Sequence, residues 1–503
     1  MMSSGQTLML SELLNGIVDL PQRQDCWVGG LALNSNELQA GELFVALVGT
    51  HQHGADFIPQ AIAAGAVAVL CEKADELDEL PTYAVPVIII EDLSHQLGWI
   101  ASRFYNHPSR SMTVIGITGT NGKTTCCQLL ARVLSENSPC GVIGTLGYGL
   151  YGQLNSGGHT TPNAIEVHRL LAEMLAAGAE QVVMEVSSHG LEQGRVEGVA
   201  FDVALFTNLS RDHLDYHGDM KSYGSAKQRL FVMPGLKHAV INTDDAFGRA
   251  LLHELTGHIS LSAYSLELTS GLPGKPLISG SELKLTRSGL QMRVGDPGGS
   301  IIINSPLLGR FNAANLLAIY GVLLWFGLSR NLIAARIAKC VSIPGRMECF
   351  TQDGLPLVVV DYAHTPDALE QVLEALREHC DGVLWCLFGC GGGRDRGKRP
   401  LMGALAECHA DRVVLTDDNP RDESGEQIIL DILAGIKQKK RIKVIADRAQ
   451  AISTVVAEAE PEDVVLIAGK GHEEYQITAG ETVPFSDGQL VIEQLALRAE
   501  QQS

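Results

Sequence analysis

Apolar runs and helical stretches alternate along the chain. Leu43-Phe-Val-Ala-Leu-Val, Ala66-Val-Ala-Val-Leu and Val87-Ile-Ile-Ile read as short strands separated by small-residue helical segments. The pattern resumes at Met112-Thr-Val-Ile-Gly-Ile, Gln181-Val-Val-Met-Glu-Val, Val203-Ala-Leu-Phe-Thr and His238-Ala-Val-Ile-Asn. Such alternation predicts a mostly parallel sheet covered by helices. The Gly-rich segment 270–306 predicts an antiparallel excursion, and Leu316–Leu328 a buried helix too short to span a bilayer. After Ile343-Pro-Gly-Arg come four apolar strands, each running into a polar loop. They are Pro356–Val360 into Asp361-Tyr-Ala-His-Thr-Pro, and Val383–Phe388 into Gly389-Cys-Gly-Gly-Gly-Arg. Arg412–Thr416 runs into Asp417-Asp-Asn-Pro-Arg, and Val464–Ala468 into Gly469-Lys-Gly-His-Glu. In an open parallel sheet these loops gather at the carboxyl ends of the strands, where ligands bind. His107-Pro108-Ser109 and Ile343-Pro-Gly-Arg divide the chain into blocks 1–108, 109–341 and 342–503. The expected class is α/β in three domains.

A length of 503 residues agrees with about three domains. A formal net charge of −20 disfavours nucleic acid and acidic membrane as partners, though local basic loops can still hold anions. The 11 cysteines are scattered without a C-x-x-C pair, which points to a reducing compartment. Met1-Met-Ser-Ser-Gly-Gln-Thr lacks the basic start and apolar core of a signal peptide. The expectation is a soluble, cytoplasmic protein without a membrane span, acting as a monomer.

The sharpest chemical signal is Thr118-Gly-Thr-Asn-Gly-Lys-Thr-Thr125, directly after an apolar strand and opening a helix. Gly119 and Gly122 let the backbone approach phosphate oxygens, and the N–H groups and the helix's positive pole stabilise the anion. Lys123 can reach terminal phosphates, and the Thr124 hydroxyl can hold magnesium. The loop departs from the strict eight-residue pattern, offering Gly116 and Ile117 in place of a correctly spaced first glycine. That departure argues against a generic NTPase.

Seven motifs then occur in order: Gly119-Thr-Asn-Gly-Lys-Thr-Thr, Glu185-Val-Ser-Ser-His, Asn208-Leu-Ser-Arg-Asp-His-Leu-Asp, Gly309-Arg-Phe-Asn-Ala-Ala-Asn, Pro344-Gly-Arg-Met-Glu, Asp361-Tyr-Ala-His-Thr-Pro and Asp418-Asn-Pro-Arg. Across essentially the whole chain this resembles the Mur ligases of peptidoglycan assembly. The Asp418-Asn-Pro-Arg loop is similar to that of the branch that uses meso-diaminopimelate. The resemblance implies a uridine-nucleotide-binding α/β domain at 1–108, a central P-loop domain at 109–341, and a C-terminal Rossmann-like domain at 342–503. It also implies ATP-dependent amide synthesis on UDP-N-acetylmuramoyl-dipeptide. A carboxylate is a poor acyl donor because oxide leaves badly; phosphorylation turns the leaving group into phosphate. What remains for the protein is alignment and charge neutralisation.

On this resemblance Gly119, Thr120, Asn121, Gly122, Lys123, Thr124 and Thr125 hold the ATP phosphates. Thr124 and Glu185 hold one magnesium ion, and His213 reaches a second. Lys227 matches the family lysine carbamylated by carbon dioxide, which turns an ammonium into anionic oxygens. Asn312 resembles the adenine contact, and Arg346 and Asp361 the phosphate and ribose contacts, with His364 close by. Leu33, Ser35, Thr50, His51 and Gln52 take the uridine end, while Thr160, Thr161, Ser187, Gln193 and Arg195 line the muramoyl-dipeptide path. Arg394, Asp418, Asn419, Pro420, Arg421, Gly471 and Glu473 read the incoming diaminopimelate. Its second zwitterionic head suits an arginine fork and a nearby acid.

Blander readings stand beside these. Glu185 could be a solvated loop acid, Lys227 an ordinary helix lysine, Asp361 an N-cap before Pro366, and Arg421 a surface arginine paired with Asp422 or Glu423. The rival functions are a sister ligase that adds lysine, a P-loop switch protein, and a carbohydrate-binding scaffold.

Overall fold

The computed structural model describes residues 7–49, 52–73, 81–268, 275–439 and 442–502. The chain divides into two compact units, Met1–Tyr264 with Gly271–Pro276, and Ser265–Ser270 with Leu277–Ser503. Among the described residues no helix is long and apolar enough to cross a membrane.

The first unit opens with a parallel sheet, Leu31–Ala32, Leu43–Ala46, Ala68–Glu72 and Val87–Ile90, paired in chain order. Successive side chains on a strand face opposite ways. Leu43 and Val45 accordingly pack with Leu97, Ile100 and Phe104 of helix Leu93–Phe104, whereas Phe44 and Ala46 pack with Ile58 and Ala61 on the other face. A larger sheet follows in the same unit. Its order is Gln153–Asn155, Gly147–Leu150, Cys140–Gly144, Gln181–Glu185, Thr113–Thr118, Val203–Phe206, His238–Asn242 and Ser260–Ser265. Only Gly147–Leu150 runs against the others, so the carboxyl ends of Thr113–Thr118, Gln181–Glu185 and Val203–Phe206 lie side by side.

In the second unit the expected antiparallel excursion is present as Leu277–Thr286, Gly289–Asp296 and Gly299–Ser305. The apolar helix is Arg310–Trp325, with Leu316 to Leu323 buried. The last sheet runs Glu348–Phe350, Leu357–Asp361, Val464–Ala468, Leu384–Phe388, Arg412–Leu415 and Ile442–Val444, parallel except for the first. Val359, Leu466 and Cys386 fill one core and Val360, Ile467 and Leu387 the other. Each such side chain contributes about 1.5–3 kcal/mol on burial, against about 0–1 for an exposed ion pair. The sheet therefore fixes where the loops emerge, and the surface charges do not. Asp361 and Phe388 both align with Ala468, which brings the three following loops out at one level.

Candidate active site

In the first unit the phosphate loop links strand Thr113–Thr118 to helix Lys123–Leu134. Gly119 has φ +149°, and a Cβ there would lie 1.9 Å from Thr207 Oγ1, so a side chain does not fit. The segment after Val203–Phe206 clasps the loop: Thr120 N donates to Asn208 O at 2.8 Å. Asn121 N donates to Asn208 Oδ1 at 2.9 Å and Thr207 Oγ1 to Asn121 O at 2.6 Å. The amides of Thr120 and Asn121, expected to face phosphate, are thus committed to this clasp. The first helical turn, whose amides have no intrahelical acceptor, is a place where an anion could be held. Lys123 Nζ lies folded over the loop, donating to the carbonyls of Gly119 and Thr120 at 2.8 Å each.

Glu185 ends its strand fully buried, which excludes a solvated loop acid. Its carboxylate accepts from Thr124 Oγ1 at 2.9 Å, Thr145 N at 2.8 Å and Thr145 Oγ1 at 3.2 Å. A buried carboxylate beside a threonine hydroxyl is a hard-oxygen donor set that suits magnesium. Lys227, on helix Met220–Gln228, is 1% exposed rather than on an open helix face. Its Nζ donates to Gly119 O at 2.9 Å and stands 4.4 Å from the Tyr223 ring centroid. Burial, and after it the Lys123 charge, push the Lys227 amine well below the ordinary lysine range. A neutral amine at this position is what carbamylation requires. His213, at φ +52°, sits edge-on to the same Tyr223 ring at 6.1 Å and to His189 at 5.0 Å.

The residues expected along the dipeptide path form one network. Thr161 Oγ1 donates to Glu185 O at 2.9 Å and accepts from Ser187 N at 3.0 Å, and the Thr160 and Thr145 hydroxyls meet at 3.0 Å. Arg195 donates to Thr161 O at 2.8 Å and, with two nitrogens, to Gln193 Oε1 at 3.0 and 2.6 Å. Gln193 Nε2 reaches Tyr216 Oη at 3.0 Å. In the first sheet Leu33 and buried Ser35 follow strand Leu31–Ala32, and exposed Gln52 follows Leu43–Ala46. Thr50 and His51 lie outside the described residues.

In the second unit, buried Asn312 donates to Leu308 O at 2.8 Å and accepts from Asn315 Nδ2 at 3.1 Å. Asp361 braces its own loop: Oδ2 accepts from Met347 N at 2.7 Å and Oδ1 from Ala363 N at 2.8 Å. The cap of helix Pro366–Arg377 is Thr365, not Asp361. Arg346 lies 5.1 Å over the Tyr362 ring. Lys398 Nζ ties the neighbouring loop to His364 O at 2.8 Å.

The carboxyl-end loops bring together most of the residues expected to read the incoming amino acid. Asp418 abuts Gly469, and Asn419 Nδ2 donates to Glu473 Oε2 at 2.8 Å. Arg421 has φ +55°; its N donates to Ile477 O at 3.0 Å and its Nη1 to Gly392 O at 2.6 Å. Glu423 is taken instead by Arg399 and Arg396, so the simple Arg421–Glu423 surface pair is not formed. Pro420 is buried in this loop, Gly471 packs on Tyr362, and Arg394 projects exposed from the Gly-rich loop.

Residues 28–105 match the Mur ligase family catalytic domain, 117–323 the Mur ligase middle domain, and 345–471 the Mur ligase glutamate ligase domain. The UDP-N-acetylmuramoyl-L-alanyl-D-glutamate--2,6-diaminopimelate ligase of Alkalilimnicola ehrlichii is 49% identical over 496 residues, 97% of this chain and 99% of that protein. The chain belongs to the Mur ligase family. The ligase of the same name from Coxiella burnetii is 47% identical over 464 residues, 92% of this chain and 94% of that one. A solved UDP-N-acetylmuramoyl-L-alanyl-D-glutamate--2,6-diaminopimelate ligase superposes with TM-score 0.74 at 36% identity, covering 98% and 99% of the two chains. The MurF ligase of Thermotoga maritima in complex with ADP, at 19% identity and TM-score 0.59 over 94% and 98%, shares the fold. This Mur ligase is thus α/β with the three-domain architecture of its family.

Five side chains of this Mur ligase, four in the first unit and one in the second, contact these residues without having been singled out from the sequence. They are Thr145, Thr207, Asn208, Tyr223 and Lys470. Asn208 opens one of the recognised motifs and Tyr223 lies four residues before Lys227, so proximity in sequence was a usable signal. Thr145 and Thr207 carry none, because a threonine at a strand end is common.

Proposed function

We propose that this Mur ligase adds meso-diaminopimelate to UDP-N-acetylmuramoyl-L-alanyl-D-glutamate at the expense of ATP, making the tripeptide precursor of peptidoglycan. The observation that carries the reading is 49% identity over 97% of the chain to a ligase of that name. The domains 1–108, 109–341 and 342–503 take the uridine nucleotide, ATP and the incoming amino acid respectively. The enzyme works as a monomer in the cytoplasm.

The D-glutamate carboxylate oxygen attacks the γ-phosphorus of ATP and ADP departs. The diaminopimelate amine, having lost a proton, then attacks the acyl carbon, and phosphate leaves with the bonding pair. The helix start at Lys123–Thr125 and the Lys123 ammonium hold the phosphates against the acceptor carboxylate. Thr124 and Glu185 would hold one magnesium ion, His213 would reach a second, and a Lys227 carbamate would supply further anionic oxygens. Such ions would neutralise charge gathering on the transferred phosphoryl. Asn312, Arg346 and Asp361 contact the nucleoside and phosphates. Leu33, Ser35, Thr50, His51, Gln52, Thr160, Thr161, Ser187, Gln193 and Arg195 hold the nucleotide-dipeptide. Arg394, Asp418, Asn419, Pro420, Arg421, Gly471 and Glu473 hold diaminopimelate, Arg421 binding the remote carboxylate.

The test is an acceptor panel of diaminopimelate isomers and lysine, read by product mass. Amide product from meso-diaminopimelate in large excess over lysine supports the reading. Preference for lysine assigns the chain to the sister activity.

A further inference from the structure

Lys470 is fully buried at the start of the loop that carries Gly471 and Glu473. Its ammonium donates to Asn419 Oδ1 at 3.1 Å and to Glu473 Oε2 at 3.3 Å. Asn419 Oδ1 also accepts from Ile477 N at 2.9 Å, so that oxygen has both lone pairs engaged and the amide is locked. Its Nδ2 is thereby turned onto Glu473 Oε2 at 2.8 Å. One ammonium thus sets the orientation of two side chains on two separate loops. The Tyr475 ring, with its centroid 5.6 Å from the Lys470 nitrogen, backs the same group. Burial pushes the Asp418 carboxyl above its ordinary range; Arg448 and Lys470 pull against that shift, while the Glu473 and Asp487 charges add to it.

Burying an ammonium costs several kcal/mol, and an apolar residue of equal volume in such a place is often neutral or stabilising. Simple core filling therefore does not account for a lysine here. We infer that Lys470 is a positioning residue for the acceptor amino acid, holding the Glu473 carboxylate and the Asn419 amide in the pose that receives its charged groups. This rests on the assignment of the acceptor site to these loops.

The experiment compares full-length wild type, Lys470→Met and Lys470→Gln by steady-state kinetics in each of the three substrates, with thermal unfolding alongside. Methionine keeps the volume and removes every donor; glutamine keeps a donor. The expected result is a diaminopimelate KM raised about tenfold or more in Lys470→Met, the loss of a charge-assisted contact. The KM values for ATP and nucleotide-dipeptide should stay within about twofold, with Lys470→Gln intermediate. An unchanged diaminopimelate KM in the folded variants overturns the inference, as does a parallel rise in all three KM values. If Lys470→Met does not fold, Lys470→Gln is held to the same criterion. Failure of the wild type to use diaminopimelate is a different result: it overturns the functional reading itself, before any variant is compared.

Discussion

Arg421 keeps its backbone at φ +55°, a conformation that costs a non-glycine residue about 1–3 kcal/mol. Strain of this kind persists where a side chain must point one way, and here it points at the Gly392 carbonyl in the Gly-rich loop. Arg421→Ala should raise the diaminopimelate KM about tenfold or more and leave the ATP KM within about twofold. Small, equal changes in both would remove the assignment. Lys227 makes a separate prediction. Because burial pushes its amine well below the ordinary lysine range, which favours the neutral form that carbon dioxide attacks, turnover should fall when bicarbonate is stripped from the buffer and return on its re-addition. Lys227→Ala should lose at least about a hundredfold in kcat with little change in the KM for diaminopimelate. Indifference of the wild type to bicarbonate would count against the carbamate. At this scale the sequence named Lys123, Glu185 and Lys227 but not what they touch. Hydrogen bonds such as Thr120 to Asn208, which engage loop amides within the protein, depend on strand adjacency that spacing does not encode.

Among the elements, the long apolar strands were legible because a parallel strand buried on both faces reads as a continuous run. Leu357–Asp361, Leu384–Phe388, Arg412–Leu415 and Val464–Ala468 all stand where their runs predicted. Short or edge strands were not: Glu348–Phe350 and Ile442–Val444 hold three residues each, too few to show a period. Two buried histidines give an acid-stability prediction. His168, on helix Ala164–Ala176, and His238, in strand His238–Asn242, are both pushed down to about 4 by burial. An unfolded histidine titrates near 6.5, so below that pH the unfolded chain takes up protons that the folded one refuses. Their contribution is intact above pH 6.5 and is lost as pH falls from about 6.5 to 4, so calorimetric Tm should drop across that window. A flat Tm there would contradict it. In the second unit Arg448 and Asp487, both with 0% exposed side chains, pair through two hydrogen bonds of 2.7 Å. Arg448 also holds the carbonyls of Asp417 and Ala468, just before the loops that begin at Asp418 and Gly469. Asp487→Ala removes the carboxylate that pairs with that buried guanidinium, and should cost about 3–5 kcal/mol in urea unfolding.

For the whole molecule, the ordered motifs made the family and the α/β class readable from the sequence, because most of them sit at the carboxyl end of a parallel strand, where chemistry restricts the residue type. The surroundings of the Asp418–Arg421 loop were less legible, since its contacts run to buried partners far along the chain, such as Lys470 against Asn419. The central claim is that ATP cleavage is spent on one amide bond. It is tested most directly by measuring phosphate release and amide product together, with nucleotide-dipeptide and meso-diaminopimelate supplied singly and jointly. The account predicts negligible release unless both are present, and then one phosphate for each amide formed. Phosphate release that proceeds at the same rate without either substrate would contradict it.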